Sequence, residues 1–458
     1  MIPPRPLIAG LVVAALAAPL AVRHRAQASD GLRMAALAPQ PSGPRVPYLL
    51  DELIVQFQGT ADDHIAERAI RFSGGRSARR SAFGNRFLVK LEDGVGLAEA
   101  MARFSSLPEV AYAEPNGLVY AFQATRFTPN DRFFSFQWNM RMIDAERTWA
   151  IQKGDPSVAV AVLDTGIAFE DFGPYRKAPD FGNTVFLQGQ DFINNDSHAN
   201  DDNSHGTHVS STIAEATNNG LGAAGLAFNC ALVPVKVLGA GGGGSNFDVA
   251  DGIDYATNFR QNGTNPIKVI NMSLGEPGDS AVVRAAIDRA VDAGITVVAA
   301  AGNDGEAQVS FPASYDRVIA VGALDGRKQK TPYSNFGRDL DIMAPGGDPN
   351  RDDTGPNGRP DGDADGILQQ TFDPVTARLL GRYDDFDYFY AAGTSQATPH
   401  VSALACLLYQ QGIRSPEAIR AAIQNTAEDL GAPGRDDTFG FGLIRPSVAL
   451  SGYGLNQK

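Results

Sequence analysis

The chain has 458 residues, 43% apolar and 20% charged, with 49 glycines and 28 prolines. That length exceeds one ordinary hydrophobic core, so it implies two or three units in a globular protein rich in turns. A net charge of −13 excludes nucleic acid and anionic membrane surfaces as partners.

The first segment reads as an export signal. Arg5 gives a positive start, residues 7–22 are almost all Ala, Leu and Val, and Ala26-Gln27-Ala28 offers a small-residue cleavage site. Ala15-Leu16-Ala17 competes as a second site. The apolar run is short for a membrane span, although Arg23 and Arg25 behind it leave an uncleaved anchor as the alternative. Cleavage after Ala28 defines a signal peptide over 1–28. It implies a secreted or periplasmic protein without stable membrane association. Residues 1–28 then carry +3 and residues 29–121 carry −1, so the acidity, −15, belongs to residues 122–458. The two cysteines, Cys230 and Cys406, are too few for a disulfide framework. Their apolar surroundings make them read as buried small residues rather than as a bridge.

Residues 47–121 form a compact α+β unit on sequence grounds. Leu53-Ile54-Val55-Gln56-Phe57 and Arg86-Phe87-Leu88-Val89-Lys90 alternate as strands do, and residues 110–116 read as another strand. Residues 62–72 and 97–104 have helical periodicity. The basic stretch 76–80 reads as a solvated loop, with dibasic cleavage as its alternative. Residues 122–128 look like a linker.

From Pro129 onward, short apolar runs alternate with helical segments. Strands are expected at 158–163, 232–237, 269–272, 296–300 and 318–321. Nearly continuous apolar strands separated by helices imply an α/β fold, with a largely parallel sheet covered on both faces. Reactive groups in such sheets gather at the carboxyl ends of the strands.

Several singular residues stand there. Asp164 ends the first strand, in Val162-Leu163-Asp164-Thr165-Gly166, and could be a turn acid or a functional carboxylate. His205 and His208 open a helix through Ala216. Zinc binding by that pair lacks a partner segment of the required spacing. Asn303 follows a strand in Ala301-Gly302-Asn303-Asp304-Gly305, which is also turn chemistry. Ser395 lies in Gly393-Thr394-Ser395-Gln396-Ala397-Thr398-Pro399-His400, ahead of the apolar run 401–409. Gly393 permits a tight turn there, and Pro399 suits a first helical turn. A plain N-cap would use the same residues. A serine hydrolase needs a nucleophile, an imidazole base, an acid to hold it and an oxyanion donor.

Taken in order, Val162-Leu163-Asp164-Thr165-Gly166, His205-Gly206-Thr207-His208-Val209, Ala301-Gly302-Asn303 and Gly393-Thr394-Ser395 resemble the four signature segments of the subtilisin-like serine proteases. The resemblance covers roughly residues 129–450. It implies a subtilisin-like catalytic domain, preceded by a propeptide over 47–121 that chaperones folding and inhibits the site. Maturation would then cut between Tyr120 and Pro129. The resemblance assigns Ser395 as nucleophile, His205 as general base, Asp164 as the orienting acid and Asn303 as oxyanion donor, with His208 and His400 unreactive. Gln396 departs from the usual methionine, and Ser210-Ser211 from the usual Ala-Gly.

By the same resemblance, Leu238-Gly239-Ala240-Gly241-Gly242 and Ser273-Leu274-Gly275 are the edges that clamp an extended peptide. Ala300, Gly302 and Ser310 line the pocket for the residue before the cleaved bond. Broad apolar or aromatic preference is expected, with Asp304 at the rim able to favour a basic residue. Calcium is the implied structural ion, held by Asp131, Asp180, the Asn219 side chain and the backbone oxygens of Thr217, Leu221 and Ala223. A second calcium candidate is Asp361-Gly362-Asp363-Ala364-Asp365-Gly366, within an insertion at about 346–390. Position twelve of that loop is Phe372, so it is no complete EF-hand. The expected molecule is a monomeric, exported endopeptidase acting on proteins or peptides. The rival class is an inert scaffold of the same fold, which a missing catalytic residue would favour; none is missing.

Overall fold

The computed structural model describes residues 48–59, 63–92, 94–117, 126–352, 362 and 365–453. The expected signal peptide, most of the linker and maturation region, and Asp361 and Asp363 lie outside these residues. The chain divides into two compact units that meet in sequence between Gln123 and Ala124.

The first unit runs β1 (Tyr48–Phe57), α1 (Asp63–Phe72), β2 (Gly75–Arg80), β3 (Arg86–Leu91), α2 (Leu97–Ser105) and β4 (Val110–Gly117). Its strands form one sheet in the order β2-β3-β1-β4. Period-two alternation turns Leu53, Val55 and Phe57 of β1 and Phe87, Val89 and Leu91 of β3 to one side. They pack there with Ala66, Ala69 and Ile70 of α1 and Ala100 and Phe104 of α2. Residues 76–80 correct the expectation of a loop. They pair with β3 from Ser77 opposite Lys90 to Arg80 opposite Phe87, with every side chain after Gly75 exposed. The absence of an apolar face is what an edge strand tolerates, and its charges discourage further pairing.

The second unit begins with α3 (Trp138–Met142), α4 (Ala145–Ile151), β5 (Ala159–Asp164), β6 (Gln190–Asp191), α5 (His205–Ala214), β7 (Ala231–Lys236) and α6 (Asn246–Asn258). It continues with β8 (Ile267–Met272), α7 (Ala281–Asp292), β9 (Thr296–Ala300), β10 (Ile319–Leu324) and β11 (Ile342–Pro345). The hairpin strands β12 (Ile367–Phe372) and β13 (Phe386–Ala391) flank α8 (Pro374–Leu380), and α9 (Thr394–Gln410), α10 (Pro416–Thr426) and α11 (Pro446–Tyr453) close the fold.

Seven strands form a parallel sheet in the order β11-β10-β9-β8-β5-β7-β6. Every residue of β5, β7, β9 and β10 is buried, which requires cover on both faces. Helices α5 and α9 pack on each other and on the sheet, as do α6 and α7. The α/β architecture with a small preceding unit is as expected.

Two expectations change. Cys230, just ahead of β7, and Cys406, inside α9, are both buried as expected but form a disulfide across 176 residues. Pro399 lies inside α9 rather than in its first turn. Lacking an N–H, it leaves the carbonyl of Ser395 without its helical partner. The Ser273 hydroxyl donates to that oxygen instead, at 2.9 Å. Among the described residues no helix is long and apolar enough to cross a membrane.

Candidate active site

β5 delivers Asp164, fully buried, to the end of the sheet. Its Oδ1 accepts hydrogen bonds from the Thr165 backbone N–H and from His205 Nδ1, both at 2.7 Å. A carboxylate only accepts, so the Nδ1 proton belongs to the ring and Nε2 of the neutral imidazole is left as the acceptor.

His205 stands at the first position of α5. The residue before it, Ser204, is in the left-handed region at φ 91°, a conformation that costs roughly 1–3 kcal/mol for a non-glycine residue. Asp201, a second buried carboxylate, supports it. Its Oδ1 accepts the backbone N–H of Asn203 and Ser204 and the Thr165 hydroxyl. Its Oδ2 accepts both the N–H and the hydroxyl of Thr207. Thr165 Oγ1 in turn accepts the Gly206 N–H at 2.9 Å, tying the helix start to the acid turn. Asp201 escaped the sequence reading. Its only signal is the habit of aspartate to cap helix starts through its own loop.

The electrostatics follow from this packing. Burial pushes the His205 imidazole down, but the charge and hydrogen bond of Asp164, with the charge of Asp201, more than offset it. The net result is a pKa above the usual 6.5. Burial drives the Asp201 carboxyl above the ordinary range, against the Thr207 hydroxyl and the nearby Lys236 charge.

Ser395 is the second residue of α9. Its hydroxyl donates to the Ser273 carbonyl at 3.1 Å, while Ser273 Oγ donates back to the Ser395 carbonyl. Gly393 does not make the expected tight turn, since its φ of 160° is extended backbone open to any residue. Its role is space: a Cβ there would meet Gln396 Oε1 at 2.8 Å and Asn303 Nδ2 at 3.6 Å. Asn303 Oδ1 accepts the N–H and hydroxyl of Thr394, at 2.8 and 3.0 Å, which fixes the carboxamide and leaves Nδ2 as its donor.

His205, Asn303 and Ser395 share one cleft of about 590 Å³ with Leu238, Ser273, Leu274, Gly275, Ala300, Gly302 and Ser310. Gly302 has φ +107°, and a Cβ on it would lie 2.3 Å from Asn335 Nδ2 and 2.4 Å from Ser310 Oγ. Glycine is therefore required there twice over, by conformation and by space. Gly239 and Ala240 do not line the cleft. That loop folds back through Gly239 N–H to Gly243 O, and Ala240 O is held by Asn203 Nδ2. Gly242, at the far end of the expected edge, does line it, with residues 243–246 and Val249.

His208 and His400 lie away from the cleft, in the core. His208 Nε2 faces the carbonyls of Ile367 and Phe389 at 3.0 and 3.3 Å, and so holds the hairpin to α5. His400 bridges Gln396 O and Asn139. Burial pushes both rings down to about 4.

The expected calcium residues do gather around the loop 217–223. Asp131 Oδ2 accepts the Asn218 N–H at 2.7 Å, and its Oδ1 is buried with no protein partner. Asp180 Oδ1 accepts Asn219 Nδ2, and its Oδ2 accepts the Ala223 N–H and the Tyr388 hydroxyl. Asn219 Oδ1 is taken by the Leu221 N–H. The orphaned Asp131 oxygen and the oxygen-only donors fit a hard cation. Asp180 and Asn219, however, satisfy each other here. No group of three acidic, histidine or cysteine residues among the described ones is spaced to hold an ion. Of the three aspartates in the second expected loop only Asp365 is described. It is buried, and its backbone pairs with Asp348.

A histidine held by a buried acid, a helix-start serine and a fixed carboxamide share a cleft at the carboxyl ends of interior strands of a parallel sheet; fold and cleft define the class of α/β serine hydrolases. Comparison with known proteins narrows this. Residues 155–442 match the Subtilase family and residues 35–116 the Fervidolysin N-terminal prodomain. The chain is 34% identical over 407 residues to the thermophilic serine proteinase of Bacillus sp. (strain AK1), covering 88% of each. It is 34% identical to thermitase of Thermoactinomyces vulgaris, covering 67% of this chain and 94% of the relative. A solved protease structure from Pseudoalteromonas arctica PAMC 21717 matches with a TM-score of 0.61 at 31% identity, over 71% of this chain and 99% of that one. The chain belongs to the subtilase family and is a subtilisin-like serine endopeptidase with an N-terminal prodomain.

Proposed function

We propose that Ser395 is the nucleophile of an acyl-enzyme mechanism. A turn of its side chain away from the Ser273 carbonyl brings Oγ to His205, whose Nε2 removes the proton as Oγ attacks the scissile carbonyl. Asp164 stabilises the imidazolium that forms. The oxyanion is met by Asn303 Nδ2 and the Ser395 backbone N–H. Collapse expels the amine, which takes the proton from His205, and water repeats the sequence to free the acid. The observation that carries this reading is the 2.7 Å bond from His205 Nδ1 to a fully buried Asp164.

The wider reading is an exported enzyme made as a self-processing precursor. Residues 1–28 are its signal, residues 47–121 its inhibitory propeptide, and cleavage falls between Tyr120 and Pro129. The catalytic domain spans 129–450. The pocket lined by Ala300, Gly302 and Ser310 is read as accepting a broad range of apolar and aromatic residues. Calcium is read as a structural ion on Asp131, Asp180 and the loop bearing Thr217, Asn219, Leu221 and Ala223. It would neutralise the Asp131 carboxylate, which burial pushes up to about 6. Chelation should then lower the melting temperature, and an unchanged value would remove calcium from the account. Ser395→Ala should leave the precursor uncut. Normal processing of that variant, with no other protease present, would overturn both the nucleophile and self-cleavage.

A further inference from the structure

Lys236, the last residue of β7, is completely buried, and nothing in the catalytic reading uses it. A buried ammonium survives only when its hydrogen-bonding capacity is met. This one meets it in full. Its three N–H groups reach Thr165 O at 2.6 Å, Leu238 O at 2.8 Å and Asp202 Oδ1 at 2.8 Å.

The reason lies in the sheet. β5 and β7 stay in register until Asp164 stands opposite Lys236. Beyond that point the N–H groups of Val237 and Leu238 both turn onto Asp164 O, so the strands part. The next carbonyls, Thr165 on one side and Leu238 on the other, lose their ladder partners. The ammonium fills that fork. Thr165 follows the acid, Leu238 begins the cleft edge, and Asp202 belongs to the loop that Asp201 folds in front of His205.

We propose that Lys236 is a positioning residue for peptide hydrolysis, locking the acid turn, the substrate edge at Leu238 and the loop before His205 into one geometry. It touches no substrate. Its effect reaches His205 through Thr165, whose hydroxyl already holds the Gly206 N–H. Charge balance for Asp202 alone would need one contact; the two carbonyl contacts join two separate walls of the site. A side chain of similar length without donors leaves both carbonyls buried and unpaired. The inference rests on the Ser395–His205–Asp164 reading.

Lys236→Met, expressed as the full precursor, tests it. The measurements are kcat and KM on an extended peptide anilide and the rate of fluorophosphonate labelling, all well below the thermal transition. A misplacement near 1 Å costs on the order of 10²-fold in rate, so kcat and labelling should fall together by that order, with KM for the long peptide raised. Lys236→Gln, which keeps amide donors, should fall between parent and methionine variant. A folded Lys236→Met whose kcat and labelling stay within about threefold of the parent overturns the proposal, whatever its melting temperature. If the methionine variant does not fold, an unimpaired Lys236→Gln has the same force. Failure of the underlying reading looks different: the parent itself would then not be labelled at Ser395.

Discussion

Gly206→Ala offers a stringent test of the site geometry, because the clash can be read directly. A Cβ on Gly206 would lie 2.1 Å from the Gly166 carbonyl oxygen and 3.1 Å from Asp164 Oδ1. Ordinary contact needs more than 3 Å, so something must move by about 1 Å. The Gly166 turn cannot yield. It sits at φ +101°, and a Cβ on it would already be 2.5 Å from Asn200 O, so it is packed against backbone. The start of α5 must shift instead, carrying His205. A 2.7 Å bond to Asp164 stretched by about 1 Å is no longer a hydrogen bond. Displacement of that size costs on the order of 10²-fold in kcat/KM, about 2.7 kcal/mol. Overpacking should also lower stability by roughly 1–3 kcal/mol. The assay is kcat/KM on a peptide anilide together with thermal unfolding. Gly278→Ala is the control, since a Cβ there meets nothing within 4 Å. A folded Gly206→Ala with activity within about threefold of the parent would refute the geometric reasoning.

Asn303→Ala should lower kcat by about 10²–10³ with little change in KM. That range comes from the oxyanion-hole asparagine of subtilisin, a member of the same family. A loss confined to KM would show that Asn303 binds ground state and transition state alike. The pH dependence has a definite sign. His205 must be neutral to accept a proton, so kcat/KM should rise with pH and its acid limb should have a midpoint above 6.5. The same pairing contributes stability fully below 6.5 and loses it as pH rises through the folded pKa, so activity and that contribution run in opposite directions. A midpoint at or below 6.5 would contradict the Asp164 and Asp201 fields.

The residues proposed as catalytic stand out in the sequence because each lies where a periodic pattern stops: Asp164 at a strand end, His205 and Ser395 at helix starts, Asn303 after a strand. What stayed illegible depends on contacts between distant segments. The strand at 75–80 carries no apolar alternation, because an edge strand buries little, so it read as a loop. The disulfide joins residues whose local surroundings say only that they are buried. Pro399 was misplaced by a turn because the Ser273 hydroxyl, from the residue after β8, takes up the carbonyl that an interior proline leaves free. Gly239 and Ala240 lie outside the cleft lining because of a fold-back that depends partly on the distant Asn203. Lys236 is a single charge in an apolar strand, and two of its three partners, Thr165 and Asp202, come from distant segments.

The central claim is that Ser395 is activated by His205 on Asp164. Its most direct measurement is mass-mapped labelling of the active protein with a fluorophosphonate. The expected result is a single covalent adduct on the peptide carrying Ser395, formed far more slowly in His205→Ala. Failure to form an adduct, an adduct on another serine, or labelling indifferent to the loss of His205 would contradict it.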